Sequence, residues 1–361
     1  MKKSVLIVGG YGVVGRQIAE ILGDQQYDLE IFIGGRHPEK AKDLFENDSR
    51  IHAIKIDNLS KDPLKEVKRD LTLIINAVND PEHYLLRSAV EKRIPIIDIT
   101  SWTEHMKDSI HMLNKMKLHS PVVLSSGWMG GVAALFSKLT TASFKDVHLV
   151  NINILHSIKD KAGPNSIEYM DRLSVPFEIT ENRLQRQVYP LTDPVHVKFP
   201  NSFSTKCYRI DTPDHFTLPK TLNADSVNVR IAFNHKFSTY SLRFLVATGI
   251  WKLISGKSFK SLRKSVLYNP GEGDTHQIVI EAKGMGHDNF EKGIIVTISD
   301  PLGQTHLTAL GAVIQAEKVL QEKEKPLSAK IYFPEELEEG SIDSSFVNQF
   351  FTKNGVHITV V

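Results

Sequence analysis

The sequence predicts an α/β protein, a doubly wound parallel sheet of the Rossmann type accompanied by a second, mainly antiparallel α+β domain. Over about the first 125 residues, apolar runs alternate with helix-compatible stretches, the pattern of parallel strands joined by right-handed crossovers. Near the N-terminus one such junction carries a glycine fingerprint. From about Ser143 onward the strands lengthen, and Pro/Asn/Asp/Gly stretches separate them in place of regular helices.

The first strand, Ser4 to Val8, runs into Gly9-Gly10-Tyr11-Gly12-Val13-Val14-Gly15 and then into a helix-compatible stretch. Gly10, Gly12 and Gly15 occupy the three glycine places of G-x-G-x-x-G. In that motif the first glycine allows the turn, the second lets backbone approach a pyrophosphate, and the third lets helix and strand pack closely. Residues Gly10 to Gly15, with Tyr11, Val13 and Val14 between the glycines, are therefore expected to hold the phosphates at a helix N-terminus.

Leu29 to Ile33 is the second strand, followed by Gly34-Gly35-Arg36-His37 with Lys40 a turn later. An NAD site places an acid near this point for the ribose hydroxyls. Here the side chain offered is Arg36, whose guanidinium suits a 2′-phosphate through two parallel hydrogen bonds. The cofactor expected is NADP(H); away from this context Arg36 would read as a solvated loop charge.

Pro38 to Phe45 suits a helix, Ile51 to Ile56 a third strand ending at Asp57, and Pro63 to Lys68 a short helix. Leu71 to Val78 is almost wholly apolar, as a strand covered on both faces should be. Asp80-Pro81 reads as a cap with proline at the first helical position, opening a helix through Lys92. Ile94 to Ile99, Thr103 to Leu118 and Pro121 to Leu124 then read as strand, helix and strand. Further on, the strands are Val147 to Leu155, Val195 to Phe199, Val227 to Phe233, His276 to Ala282 and Gly293 to Ser299. Thr308 to Leu320 is an amphipathic helix; Pro334 opens a tail with one short helix and a closing strand, Val356 to Val361.

Composition narrows the function classes. A chain of 361 residues exceeds the usual limit for one core, so two domains are expected. A net charge of +2 gives no reason to expect nucleic acid. The 15 histidines include no H-E-x-x-H and no closely spaced His/Cys cluster, so no metal site is expected. One cysteine, Cys207, rules out an intrachain disulfide framework and suits a reducing cytoplasm, with the thiol structural or incidental. Tyr240 to Ile254 is the most membrane-like stretch, yet it carries Arg243 and Lys252 and is too short to span a bilayer. Its simpler reading is a helix packed in a domain or dimer interface; the other is a surface for lipid or a greasy substrate.

The segments Val8 to Gly15, Gly34-Gly35-Arg36, Ile94-Pro-Ile-Ile-Asp-Ile-Thr100 and Ser126-Gly127-Trp128-Met129-Gly130-Gly131 together resemble the saccharopine dehydrogenase-like family, in its saccharopine reductase branch. Phe333-Pro334-Glu335-Glu336 and Asn354-Gly355-Val356 extend the likeness into the tail. The resemblance implies an NADP-binding domain over residues 1–135, completed by about 305–361, with a substrate and dimerisation domain over 136–304. It also implies NADP(H)-dependent chemistry on amino-acid-derived imines or carbonyls. A homodimer is the class expectation, favoured if the second domain exposes an apolar helix or sheet face. Two departures bear on the substrate: Asn79-Asp80-Pro81 stands where members often carry Gly-Pro-Tyr, and Gly130-Gly131 where Pro-Gly is usual.

In an open α/β sheet ligands lie at the carboxyl ends of the strands. That rule places Asp57 near the adenine amino group and Ala77 and Val78 beside the ribose and nicotinamide. Asp98 is placed to orient an amine or to donate a proton, or else to cap the helix after Ser101. His105 would titrate near neutrality, either at the reaction centre or on the surface. Gly130 and Gly131 permit a substrate carboxylate to dock at a helix N-terminus, or form a plain packing turn. The leading function is an NADP(H)-dependent oxidoreductase. The others are a non-catalytic NADP(H)-binding regulatory or scaffold protein and a reductase of a lipid-like substrate.

Overall fold

The computed structural model describes residues 3–24, 28–44, 48–99, 102–161, 169, 172–200, 202–254, 273–321, 327–338 and 344–361. The chain forms two compact units, Met1–Val132 with Thr308–Asp343, and Ala133–Leu307 with Ser344–Val361.

The first unit begins β1 (Lys3–Val8), α1 (Val13–Asp24) and β2 (Leu29–Gly35). A 3₁₀ helix, Pro38–Leu44, stands where a helix is expected; Phe45 lies outside the described residues. After β3 (Ile51–Lys55) the expected helix at Pro63 to Lys68 is absent, and isolated turns such as Lys65 N–H to Asp62 O replace it. Next come β4 (Leu73–Asn76) and α2 (Tyr84–Glu91). The helix starts later than Pro81 because His83 adopts a left-handed φ of 54° just before it. Asp80 Oδ2 still accepts from the Leu86 N–H at 3.0 Å, so it serves the helix end from a distance. β5 (Ile96–Asp98), α3 (Thr103–Leu113) and β6 (Val122–Val123) complete this stretch.

The second unit contains α4 (Ala133–Thr141), β7 (Phe144–His156), β8 (Phe177–Glu181), β9 (Leu184–Val188), β10 (Val195–Lys198) and β11 (Ser204–Arg209). It continues through α5 (Asp214–Thr221), β12 (Ser226–Phe233), α6 (Lys236–Ala247), α7 (Ile250–Ile254), β13 (His276–Gly286) and β14 (Glu291–Asp300). Then α8 (Gln304–Gln321) carries the chain back to the first unit, which gains β15 (Ile331–Tyr332). α9 (Ser344–Lys353) and β16 (His357–Val360) end the chain.

Seven parallel strands make the first sheet, ordered β15-β6-β5-β4-β1-β2-β3. The order reverses between β1 and β4, which creates the crevice where nucleotides bind in such sheets. Its central strands are aliphatic throughout, with Val5, Leu6, Ile7, Leu73, Ile74, Ile75 and Ile97 fully buried. Helix α8 packs on this unit through Leu310, Val313 and Ile314, and Gly311 lets it approach the Ser126 and Gly127 carbonyls, which a Cβ would meet at 2.8 and 2.7 Å.

The second sheet is ordered β10-β11-β12-β7-β13-β14-β16, antiparallel except between β7 and β12. The tail thus departs from expectation: residues 344–361 belong to this unit, because β16 pairs along the edge of β14 and Phe351 packs edge-on against Phe136. The strands β8, β9, β11 and β15 are not marked in the sequence; β9 is polar and mostly exposed, with no apolar alternation to mark it. In the Tyr240 to Ile254 stretch Trp251 is buried, while Phe244 and Leu253 are exposed. Among the described residues no helix is long and apolar enough to cross a membrane. Burial raises the Cys207 thiol to about 12, as befits a core side chain.

Candidate functional site

Strand β1 delivers the chain into a turn closed by the Gly12 N–H on the Gly9 carbonyl, 2.9 Å. The left-handed residue is Gly9, φ +85°, so the conformational demand falls one residue before the motif's first glycine. Gly10 is needed for space: a Cβ there would lie 2.6 Å from Ile33 of β2. At Gly15 a Cβ would lie 2.2 Å from the Gly9 carbonyl oxygen, so only glycine lets α1 start this close to the strand. What remains is a backbone cradle at the start of α1. Gly12 and Val13 are exposed, and the first-turn N–H groups of α1 have no partner within the helix.

Tyr11 ties this turn to the loop after β2. Its phenol oxygen accepts the His37 N–H at 2.9 Å, and its ring lies against Gly35, where a Cβ would meet the hydroxyl at 2.2 Å and the ring at 2.4 Å. The loop therefore holds Arg36 exposed beside the glycine turn. On the other side Val78 abuts the turn, since a Cβ on Gly9 would lie 2.5 Å from its methyl group. Ala77 is anchored by its N–H to the Val8 carbonyl, 2.9 Å. Gly10 to Gly15, the Arg36 loop, Ala77 and Val78 thus line one sheet edge. Asp57 is exposed at the end of β3, and its Oδ1 accepts the Leu59 N–H at 3.1 Å. The neighbouring Asn58 side chain donates to the Asn79 carbonyl, which links this loop to the one after β4.

A titratable cluster occupies the carboxyl ends of β4 and β5. Asn76 and Asp98 are register partners, and Asn76 Nδ2 lies 3.4 Å from Asp98 Oδ1. Beside them His83 stacks on His105 with ring centroids 4.3 Å apart, and Trp102 tilts against His105 at 5.0 Å. His105 is buried, which removes its reading as a surface residue. The Ser109 hydroxyl donates to the His105 carbonyl, so it can only accept from His83 Nδ1, 3.2 Å away. That assigns His83 the neutral Nδ1–H tautomer and leaves Nε2 as an acceptor. Burial, and then the neighbouring His105, hold the His83 imidazole below its usual range. Burial pushes the Asp80 carboxyl up to about 6; the charge of Asp98 adds to this, against the backbone N–H groups that open α2.

Sequence reading had found Asp98 and His105 but missed His83 and gave Asp80 only a capping role. The available signal was position: both follow β4 on the edge where Asp98 ends β5. Gly130 and Gly131 lie in a turn, Trp128–Val132, and are buried. Gly130 has φ +67°, and a Cβ on Gly131 would meet the Ser126 backbone at 2.7 Å, so the close approach they permit is to the chain's own backbone. The helix after Ser101, the one Asp98 would cap, is α3 from Thr103, and Ser101 itself lies outside the described residues.

Residues 5–120 match the family described as the saccharopine dehydrogenase NADP binding domain. No curated protein matches the sequence. Among solved structures, saccharopine dehydrogenase (L-Glu forming) of Saccharomyces cerevisiae is similar over 99% of this chain and 100% of its own, with 13% identity and a TM-score of 0.63. A mutant meso-dapdh of Clostridium tetani aligns over 98% of this chain and 100% of its own, with 11% identity and a TM-score of 0.47. The first of these shares the fold. The matched segment contains the glycine cradle, and the cofactor of this domain is NADP(H).

Proposed function

We propose that this chain, with its saccharopine dehydrogenase-type NADP-binding domain, is an NADP(H)-dependent oxidoreductase acting on a small amino-acid-derived imine or carbonyl compound. The observation that carries the reading is the cluster Asp80, His83, Asp98 and His105 on the same sheet edge as the glycine cradle. Bound NADPH supplies hydride to an electrophilic carbon. The protein's own task is to place that carbon and to manage the proton that accompanies the hydride.

Arg36 takes the 2′-phosphate, and the backbone from Tyr11 to Val14 takes the pyrophosphate. Asp98, held beside Asn76, is the anion that orients an amine or iminium group. His83, with Nε2 as a lone-pair acceptor, holds a proton in exchange with substrate, and stacking on His105 fixes its plane. Asp80 keeps its proton further toward neutral pH than an ordinary aspartate and is the second group able to relay one.

The test is NADPH oxidation by purified protein across a panel of amine and 2-oxo-acid pairs. Turnover is expected with at least one pair, and Asp98→Asn should lower kcat on the order of 10²-fold or more with NADPH affinity unchanged. Tight NADPH binding without turnover on any pair would instead favour a regulatory or scaffold role.

A further inference from the structure

A second group of ligating side chains lies in the other unit. β7 ends at His156 and β13 begins at His276, and these strands are antiparallel neighbours with Leu155 opposite Gln277. The ladder therefore brings both imidazoles to one end, with rings 5.9 Å apart at 73°, edge to face. Asp160 enters from the turn after β7, closed by its own N–H on the Ser157 carbonyl, 3.2 Å. One ligand atom from each of His156, Asp160 and His276 lies within 4.8 Å of the others.

The carboxylate is fixed before any ligand arrives. Asp160 Oδ1 accepts the Lys161 N–H at 2.7 Å and Oδ2 accepts the Gln304 N–H at 2.8 Å, at the start of α8. Gly303 makes this possible, since a Cβ there would lie 2.2 Å from Oδ1. The Asp274 N–H adds a third backbone bond to this carboxylate, which leaves one oxygen with a lone pair for a metal. Asp160 and His276 are buried at 1% and 0% exposure, so any cation held there is largely desolvated and needs the charge of the carboxylate.

We infer that His156, Asp160 and His276 form a binding site for a divalent transition metal, with Zn²⁺ as the best-matched ion. Two imidazole nitrogens and one carboxylate oxygen are borderline donors that suit zinc better than the hard ions Mg²⁺ or Ca²⁺. Tetrahedral zinc bonds of about 2.0–2.2 Å bring ligand atoms to about 3.4 Å from one another, so loading requires the two imidazoles to close on the fixed carboxylate. Three protein ligands leave the fourth position to water. The ion would join the ends of β7 and β13 to the start of α8.

The full-length protein, stripped with EDTA and titrated with ZnCl₂, should bind one equivalent with Kd below about 1 μM, and its Tm should rise on loading. His156→Gln and His276→Gln should each weaken binding by about 100-fold or more, with NADPH affinity serving as the control for folding. Failure to bind zinc at about 100 μM, or binding unchanged in both variants, overturns the site. Should either variant fail to fold, X-ray absorption of zinc-loaded wild type decides. Two imidazoles in the first coordination sphere support the assignment, and fewer than two refute it.

Discussion

The two seven-stranded sheets differ in where they keep their polar groups. In the parallel sheet the central strands bury only aliphatic side chains along their length, and polar residues such as Asn76 and Asp98 appear at the carboxyl ends. In the second sheet the strands themselves bury Asn153, Arg209, Asn228, Arg230, His276 and Gln277. There a hydrogen-bonded chain crosses four adjacent strands. Arg209 donates to Asn228 at 2.8 Å, Asn228 to Asn151 at 3.1 Å, and Asn151 to Glu281 at 3.2 Å. Arg209 is anchored at the other end by Asp193, 2.8 Å. His215 Nε2 accepts the Val229 N–H beside this chain, and burial, with Arg209 and Arg230 adding to it, lowers its imidazole to about 3. A parallel sheet covered on both faces concentrates chemistry at one edge, whereas the mixed sheet distributes polar groups across a face.

If the parallel sheet works through backbone shape, a single added side chain should disable it. Gly15→Val is expected to weaken binding of NADPH and NADH alike by more than about 100-fold, read by fluorescence titration. Retained affinity would show that the turn tolerates a Cβ that the geometry forbids. The second sheet should answer in stability. Asn228→Ala, which removes the middle link of the chain and leaves Arg209 Nη1 and Asn151 Oδ1 without their shared partner, should cost about 2 kcal/mol in chemical denaturation with NADPH affinity intact. A loss of nucleotide binding there would contradict the division of labour.

The smallest effect concerns pH. Asp80 titrates near 6 in the folded chain and near the ordinary aspartate value when unfolded, so between those values the native state holds more protons. Stability of wild type relative to Asp80→Asn should therefore fall as pH rises from about 4 to about 6 and stay level above it. A flat difference across that window would show that Asp80 is not held protonated by burial.

The same contrast explains what was legible in the sequence. The parallel unit is built from local signals, apolar runs, a glycine turn and Arg36 after β2, so β1 to β6 and the glycine turn are legible in the sequence, while the two-residue β15 is not. Nor is the start of α2, because His83 takes a left-handed φ that no local rule requires. The pairing of His83 with His105 depends on how α2 and α3 pack. His156 and His276 meet only because β7 and β13 share a ladder, which chain spacing does not reveal. β9 went unseen because its residues, Leu184–Val188, are mostly polar and exposed on a two-stranded ribbon. The tail was assigned to the wrong unit because the pairing of β16 with β14 is long-range.

The central claim is that the glycine turn and Arg36 together select NADP(H). Dissociation constants for NADPH and NADH, measured on wild type and Arg36→Ala at one ionic strength, test it most directly. NADPH should bind wild type more tightly than NADH. Arg36→Ala should lose about tenfold to a hundredfold in NADPH affinity, the worth of a charge-assisted pair, and leave NADH unchanged. Equal affinity of wild type for the two nucleotides, or an equal loss for both in the variant, would contradict the assignment of Arg36 to the 2′-phosphate.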